Sequence, residues 1–140
     1  MRFTKMHGAG NDFVVVDATA ASLDGVEMAA LSRRVCDRHM GVGADGLMLA
    51  VRGEQAPFRM RLWNSDGSEA EMCGNGIRCL AKFAVEEGFL PHDAETVSVE
   101  TLGGIKVLQL FREGGEITSA RVDMGPPNFS PGSLPANVEG

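Results

Sequence analysis

The 140-residue sequence lacks the usual marks of a secreted, membrane-spanning or nucleic-acid-binding protein. Its first ten residues, MRFTKMHGAG, hold no apolar stretch of the kind that forms a signal peptide. It has no run of about 18 apolar residues, so we expect no membrane span. Lys and Arg number 13 against 19 Asp and Glu, and the net charge is −6. Because phosphate binding needs a basic surface, this balance argues against nucleic acid as a partner.

Cysteine is also scarce, with only Cys36, Cys73 and Cys79 in the chain. An odd number of cysteines without a secretion signal indicates reduced thiols, and we therefore expect a cytoplasmic protein. The chain has no C-x-x-C pair and its three histidines are scattered, so the sequence predicts no metal site. Most cysteines are small buried hydrophobic residues, and Cys36 and Cys79 are interpreted in that way.

Hydrophobic residues make up 44% of the chain, which is enough for the packed core of one domain. Apolar periodicity distinguishes strands, with a period of two, from helices, with a period of 3.6. The predicted strands are 2–6, 13–17, 47–51, 58–63, 96–101, 105–111 and 117–124, and the predicted helices are 24–39, capped by Asp24 and ended by Gly41, and 75–87, ended by Gly88.

These elements predict an α+β fold in which a mixed or antiparallel sheet surrounds a central second helix. Glycine pairs at 103–104 and 114–115 are typical of hairpin turns between the last three strands. Residues 1–124 are predicted to form one lobe. Residues 125–140 contain four prolines without periodicity, which is typical of a linker towards a further lobe.

One glycine pattern suggests a dinucleotide-binding site but has the wrong context. The segment GVGADG, residues 41–46, satisfies G-x-G-x-x-G, and Asp66 follows at about the spacing of a ribose contact. The fingerprint must follow a strand and open a helix. Here it follows a predicted helix and opens a predicted strand, so it offers no helix N-terminus to a pyrophosphate. We interpret it as a turn.

The segment MCGNGIRC places Cys73 immediately before the second predicted helix. The first N–H groups of a helix lack intrahelical partners, and the helix dipole adds positive charge there. Both effects favour the thiolate of Cys73. The same N–H groups could hold a substrate carboxylate, since Gly74 and Gly76 let a ligand approach the backbone. A thiol beside an anion site suits proton abstraction next to a carboxylate. A Cys–His pair with His7, predicted in a glycine-rich loop, stays open.

Four blocks of the sequence resemble the N-terminal half of the diaminopimelate epimerase family, within a wider group of proline racemase-like and PhzF-like enzymes. The blocks cover about residues 1–130 in the family's order. They are KMHGAGNDFVVVD, DRHMGVGADGLMLA, LWNSDGSEAEMCGNGIRC and VDMGPPNF. The HGxGNDF opening is the one typical of the epimerases.

The resemblance implies an isomerase of lysine and peptidoglycan biosynthesis that interconverts LL- and meso-diaminopimelate without pyridoxal phosphate, metal or any other cofactor. In the family, two cysteines face each other across the α-carbon, one as thiolate and one as thiol. Cys73 matches the first cysteine. Gly74 and Asn75 match substrate contacts made largely through backbone N–H groups, and Asn11 and Asn64 match side chains that bind the substrate's polar ends.

The sequence departs from the family pattern in two respects. Some relatives carry Gln where this chain has Gly46, which removes any side-chain contact from that position. The second lobe, with its cysteine, is missing, and Cys79 cannot replace that cysteine because it lies on the same helix as Cys73. The chain alone is therefore expected to be inactive. A related isomerase and a non-catalytic fragment or binding module remain alternatives, and a homodimer remains open.

Overall fold

The structure is a computed structural model that describes residues 1–126. The elements are β1 (Thr4–Gly8), β2 (Asn11–Asp17), α1 (Met28–Cys36), β3 (Gly46–Arg52), β4 (Phe58–Asn64), β5 (Glu69–Ala70), α2 (Gly74–Glu86), β6 (Thr96–Thr101), β7 (Gly104–Glu113) and β8 (Glu116–Val122). Most of the proposed linker, residues 127–140, lies outside the described residues. Neither of the two helices within residues 1–126 is long and apolar enough to cross a membrane.

The eight strands form a single mixed sheet. Their order is β1-β2-β3-β4-β6-β7-β8, with the short β5 paired to β4. The pairs β2–β3 and β4–β6 are parallel, and the other pairs are antiparallel. Each parallel pair is joined by a connection that contains a helix, as parallel strands require. The predicted mixed sheet is confirmed.

Helix α2 lies inside the curve of this sheet. It contacts both edge strands, β1 and β8, and also β2, β3 and β6. Its predicted apolar stripe is fully buried and consists of Ile77, Leu80, Ala81, Ala84 and Val85. The larger of two hydrophobic clusters forms between this stripe and the inner face of the sheet. The prediction of a central helix within a surrounding sheet is therefore confirmed.

Helix α1 covers the outer face of the sheet, where it packs on β3 and β4. A second hydrophobic cluster lies beneath it and includes Val14, Leu47, Leu49 and Trp63. Strands β2 and β3 are thus buried on both faces. That burial explains why they have the continuous apolar sequences FVVV and LMLA instead of alternating ones.

The predicted N-cap of α1, Asp24, was three residues too early. The helix begins at Met28, and its N-cap residue, Glu27, makes no side-chain capping bond. Asp24 instead accepts a hydrogen bond from the Ser22 hydroxyl at 3.0 Å within the preceding turn. A short polar side chain can bond to a nearby loop residue as well as to a helix N-terminus, and the sequence does not distinguish the two.

The predicted end of α1 was also too late. The helix ends at Cys36, and the carboxylate of Asp37 accepts the backbone N–H groups of His39 and Met40 at 2.8 and 2.9 Å. These bonds form a turn in place of another helical turn. Gly41 therefore follows the turn and does not end the helix.

The first hairpin differs from prediction because its turn is shorter than expected. Ala9 and Gly10 have positive φ angles of 52° and 83°, as a two-residue turn requires. This turn pairs Gly8 with Asn11, so β1 extends to Gly8 in place of residue 6. His7 consequently lies in a strand and not in a loop, and Asn11 is the first residue of β2.

The last three strands form the predicted hairpins. Strand β6 has the predicted bounds, and β7 and β8 differ from theirs by one or two residues at each end. Gly114 and Gly115, with φ angles of 60° and 83°, make the turn between β7 and β8. Gly88, with φ of 81°, follows the end of α2 as predicted.

Candidate functional site

Cys73 is the N-cap residue of α2. Its backbone is extended, with φ of −143° and ψ of 117°, and its side chain accepts a hydrogen bond from the N–H of Gly76 at 3.4 Å. Its carbonyl accepts the N–H of Ile77 at 2.9 Å. The sulfur therefore occupies the place that a Ser or Asp side chain usually takes at a helix start. It lies where the helix dipole and the unpaired N–H groups favour negative charge.

Asn11 is brought to this thiol by the fold. The Cys73 Sγ lies 3.7 Å from the side-chain oxygen Oδ1 of Asn11, and the thiol is placed to donate a hydrogen bond to that oxygen. The Asn11 Nδ2 donates to Asp45 at 2.7 Å. Asn11 thus links the start of α2 to the loop before β3.

Asn64 lies on the same edge of the sheet as Asn11. It is the last residue of β4 and pairs with Gly46, which in turn pairs with Phe13 of β2, two residues beyond Asn11. The Asn64 side chain is exposed and donates to the Ser68 hydroxyl at 3.0 Å. The strand register therefore places both asparagines at one rim of the sheet.

Gly74 and Asn75 form the first turn of α2, beside Cys73. Within the described part of the chain, their N–H groups make no backbone hydrogen bond. A Cβ atom at Gly74 would meet only the sulfur of Met124, at 3.9 Å, so the approach to these amides is open. The Asn75 side chain instead accepts a bond from Arg78. These two backbone N–H groups could therefore bind a carboxylate.

Gly76 was expected to let a ligand approach the backbone, but in the structure its missing side chain serves helix packing. It is buried, and a Cβ atom there would lie 2.9 Å from the terminal methyl group of Met48. Its missing side chain lets the helix pack closely on β3. Ligand access does not require it.

The other two cysteines are packing residues, as predicted. Cys79 is 5% exposed within the inner cluster, and Cys36 is 3% exposed within the outer cluster. Burial raises the pKa of both thiols, because it disfavours the charged form. Cys73 is half-buried, so it is the accessible thiol of the three.

The structure does not pair Cys73 with a histidine. The sulfur's hydrogen-bond partners are Asn11 and Gly76, whereas His7 is exposed and pairs with Asp12 in the β1–β2 ladder. No group of three or more His, Cys, Asp or Glu side chains within residues 1–126 could hold a metal ion. The GVGADG segment leads into β3, in agreement with its interpretation as a turn.

A charged network beside Asn11 was missed by the sequence reasoning. Arg38 bonds to both carboxylate oxygens of Asp12 at 2.8 and 3.1 Å and to Asp45 at 3.1 Å. Lys5 is 2.8 Å from Asp12. Arg38 and Lys5 hold the pKa of Asp12 well below its usual range, and Asp12 in turn raises that of Arg38. The signal in the sequence is an Asp after the first glycine-rich segment, Asp12, and another within the second, Asp45.

Gly46 lies where the sheet leaves little room for a side chain. A Cβ atom there would be 3.0 Å from the Leu62 side chain, 3.0 Å from the carbonyl oxygen of Trp63 and 3.3 Å from the Phe13 ring. Leu62 and Phe13 therefore occupy the space beside this position. A Gln at this position would require both side chains to move.

Comparison with known sequences identifies the family. The sequence model described as diaminopimelate epimerase matches residues 3–130. The chain belongs to the diaminopimelate epimerase family. Relatives of that name from Caldanaerobacter subterraneus subsp. tengcongensis and Moorella thermoacetica are 48% and 50% identical over 139 and 135 residues. These alignments cover 99% and 96% of this chain and 48% and 47% of the relatives. The chain thus spans about half the length of these relatives.

Solved structures show the same lobe in a wider group. A probable proline racemase from Agrobacterium radiobacter K84, crystallised with bound carbonate, matches with a TM-score of 0.68 at 16% identity. The match covers 86% of this chain and 40% of the racemase chain. At this identity the likeness concerns the fold alone. It agrees with the predicted lobe of the diaminopimelate epimerase family.

Proposed function

We propose that this chain supplies one half of a diaminopimelate epimerase site, which inverts an α-carbon and so interconverts the LL and meso forms. The observation that carries the proposal is the half-buried thiol of Cys73, placed at the N-terminus of α2 and 3.7 Å from Asn11. The chain that carries this thiol has 48% and 50% sequence identity to two relatives named diaminopimelate epimerase. The proposal includes a cytoplasmic location.

In this proposal Cys73 is the group that exchanges a proton with the α-carbon. As thiolate it accepts the proton, and the Gly76 N–H and the dipole of α2 support that state. As thiol it returns a proton. Before it does so, its S–H group can donate a hydrogen bond to Oδ1 of Asn11. General acid–base help of this kind is typically worth about 10²- to 10⁴-fold per group. No cofactor is invoked, because the two thiols do the proton chemistry.

Inversion needs a second acid on the opposite face of the α-carbon. Cys79 and Cys36 are both buried, in different clusters, so neither can face Cys73 across a substrate. We therefore place the second cysteine in a second lobe outside this chain. The length of the relatives, about twice that of this chain, supports this assignment.

We assign the substrate contacts to Asn11, Asn64, Gly74 and Asn75. The backbone N–H groups of Gly74 and Asn75 would hold the carboxylate attached to the reacting carbon, since both point out of a helix start with an open approach. Asn11 and Asn64, at one rim of the sheet, would bind the polar ends of the substrate. A closed site would also exclude water, which strengthens such contacts.

Two other functions share the fold. A proline racemase-like or PhzF-like isomerase would use the same lobe with another substrate, and a non-catalytic fragment would keep the lobe without turnover. The identity of about one half to epimerases over nearly the whole chain favours the first proposal. Solved structures of the wider group match at much lower identity.

The test begins with the coding sequence beyond codon 140. If it continues in frame, the full product is incubated with LL-diaminopimelate in D₂O, and inversion and α-deuteration are followed by chiral separation and mass spectrometry. We expect inversion that Cys73→Ala abolishes and that Cys79→Ala, if folded, retains. L-Proline and trans-4-hydroxy-L-proline serve as alternative substrates. Inversion of either of them in place of diaminopimelate would support the related isomerase, and no reaction with any substrate would support the non-catalytic alternative.

A further inference from the structure

We propose that Asp45 is a positioning residue that orients the side-chain amide of Asn11, so that its oxygen and not its nitrogen faces the thiol of Cys73. The orientation follows from contacts within this chain. Its meaning for turnover rests on the proposed function. Neither the resemblance nor the sequence motifs assign such a role to Asp45.

The first step is the chemistry of the Asn11–Asp45 contact. One oxygen of Asp45, Oδ2, lies 2.7 Å from Nδ2 of Asn11 and 3.0 Å from the backbone N–H of Asp12. An ionised carboxylate can only accept hydrogen bonds. The end of the Asn11 amide that faces Asp45 must therefore be the NH₂ group. The carbonyl oxygen Oδ1 is then left to face Sγ of Cys73 at 3.7 Å.

Asp45 is itself held in place by its other contacts. Its other oxygen, Oδ1, accepts a bond from Arg38 at 3.1 Å, and Arg38 is fixed in turn by two bonds to Asp12. The Asp45 backbone donates to the carbonyl of Asp12 at 2.9 Å and accepts from Ser65 at 3.1 Å. Both oxygens and both backbone groups are thus engaged, so the carboxylate cannot turn away from Asn11 without breaking charge-assisted bonds.

The third step is the effect on Cys73. Its sulfur has a donor on one side, the Gly76 N–H at 3.4 Å, and an acceptor on the other, Asn11 Oδ1. A donor stabilises the thiolate, and an acceptor stabilises the thiol. An epimerase cysteine must take up and return a proton, so a balance of the two contacts suits both states. If the Asn11 amide turned over, the sulfur would have donors on both sides and would lose the acceptor that stabilises the thiol.

Other ionisable groups surround this arrangement and enter the design of the test. They are Lys5, Asp12, Arg38, Arg78 and Cys79. Replacing Asp45 also removes a negative charge, and that alone would favour the thiolate of Cys73. A test must therefore separate the charge of Asp45 from its effect on Asn11.

The experiment measures the rate of iodoacetamide alkylation of Cys73 against pH in the 140-residue chain, with the site confirmed by peptide mass mapping. In Asp45→Asn the residue at 45 can accept or donate, so the Asn11 amide can turn its NH₂ group to the sulfur. We expect the pH at half-maximal rate to fall by up to about one unit, as a hydrogen bond to a charged group allows. The plateau rate should fall slightly, because a less basic thiolate is less nucleophilic.

A double-mutant cycle separates the two effects of Asp45. Loss of the Asp45 charge affects Cys73 whether or not Asn11 is present. Loss of the amide orientation affects Cys73 only when Asn11 is present. We therefore expect Asp45→Asn to shift the profile of the Asn11→Ala chain clearly less than that of the unmodified chain. Equal shifts in the two backgrounds would show that Asp45 acts by charge alone and would overturn the proposal.

Asp37→Asn is the matched control. Asp37 is an exposed carboxylate in the same loop that also accepts backbone N–H groups, but it makes no contact with Asn11. We expect its alkylation profile to equal that of the unmodified chain. A shift as large as that of Asp45→Asn would mean that any disturbance of the loop reaches Cys73, and the specific role would be lost.

A second measurement needs no substitution and covers the case in which Asp45→Asn fails to fold. The NMR signals of the Asn11 side-chain amide report its hydrogen bonds in the unmodified chain. We expect one of its two protons to exchange slowly with solvent, because it donates to a carboxylate at 2.7 Å. Fast exchange of both protons would contradict the proposal. Neither readout involves a substrate, so the orientation can be tested even if the proposed epimerase activity is wrong.

Discussion

The thiol of Cys73 and the side-chain oxygen of Asn11 lie 3.7 Å apart, although 62 positions separate the two residues in the chain. The contact joins the first turn of α2 to the first residue of β2. It exists only because α2 packs inside the curve of the sheet. The state of this thiol therefore reports on the fold as well as on the site.

We predict that Cys73 is the most reactive of the three thiols. It is half-buried at a helix N-terminus, whereas Cys36 and Cys79 are buried and burial raises their pKa. Brief treatment with iodoacetamide at neutral pH, followed by peptide mass mapping, should label Cys73 first. In urea all three should react alike. Equal labelling in the folded chain would contradict the assignment of an activated thiol.

We predict that Gly41→Ala destabilises the chain even though Gly41 is exposed. A Cβ atom there would lie 2.1 Å from the carbonyl oxygen of Arg34 and 2.7 Å from that of Val35, and backbone cannot yield as a flexible side chain can. We expect a loss of at least about 2 kcal/mol in the free energy of unfolding by urea. Gly74→Ala is the control, since its Cβ would meet only Met124 at 3.9 Å. An unchanged free energy of unfolding in Gly41→Ala would contradict the close approach of residue 41 to these two carbonyl oxygens.

We predict that Glu100 makes stability depend on pH. This buried carboxylate accepts backbone N–H groups from Glu54 and Ala56, each at 2.7 Å, and from Gln55. The Gln55 bond contributes most to lowering the pKa of Glu100 in the folded chain. A lowered folded pKa means that the charged form stabilises the fold above the unfolded pKa of about 4.3, and that this stability is lost as pH falls through the folded pKa.

The check for Glu100 compares Glu100→Gln with the unmodified chain by urea unfolding at several pH values. We expect the variant to be less stable at neutral pH and the difference to shrink in acid. Glu69→Gln is the control, because Glu69 lies in a partly exposed pair with Arg61 at 2.9 Å. Such pairs contribute about 0–1 kcal/mol. A constant difference between Glu100→Gln and the unmodified chain across the pH range would argue against the carboxylate's role.

We predict that the 140-residue chain alone does not invert diaminopimelate. Cys73 can remove a proton from one face, but the two buried cysteines cannot deliver one to the other face. The open site also leaves the reacting groups in water. Chiral separation after incubation with LL-diaminopimelate should detect no meso product. Robust inversion that Cys73→Ala abolishes would mean that another acid of this chain, or of a second copy, reaches the opposite face.

The sequence predicted most elements because local patterns determine them. Strand β6 has the predicted bounds, and α2 differs by one residue at each end. The bounds of α1 were wrong because Asp24 and Asp37 are equally suited to turns and to helix caps. The hydrophobic stripe of α2 predicted its burial. No local pattern predicted that β2 would pair in parallel with β3, or β4 with β6.

The candidate site likewise has features that local sequence predicts and features that only the fold creates. The position of Cys73 at a helix start follows from a glycine-rich step before an apolar stripe, which is local information. The contact with Asn11 and the network of Asp12, Arg38 and Asp45 depend on three segments that meet only in the folded sheet. Of these residues, the resemblance assigned a role to Asn11 alone. The charged residues around Asn11 come together only in the folded sheet, so no local pattern identifies them.

The two edge strands of the sheet, β1 and β8, both touch α2 and do not pair with each other. The helix therefore closes the curved sheet by apolar packing where hydrogen bonds between strands do not. Beyond its first turn, whose amides lack intrahelical backbone partners, the hydrogen-bonded amide protons of α2 should then exchange with solvent mainly through cooperative unfolding of the lobe, whereas those of α1, on the outer face, can exchange through local opening. We therefore expect the body of the helix that presents the thiol to be the slowest-exchanging part of the lobe.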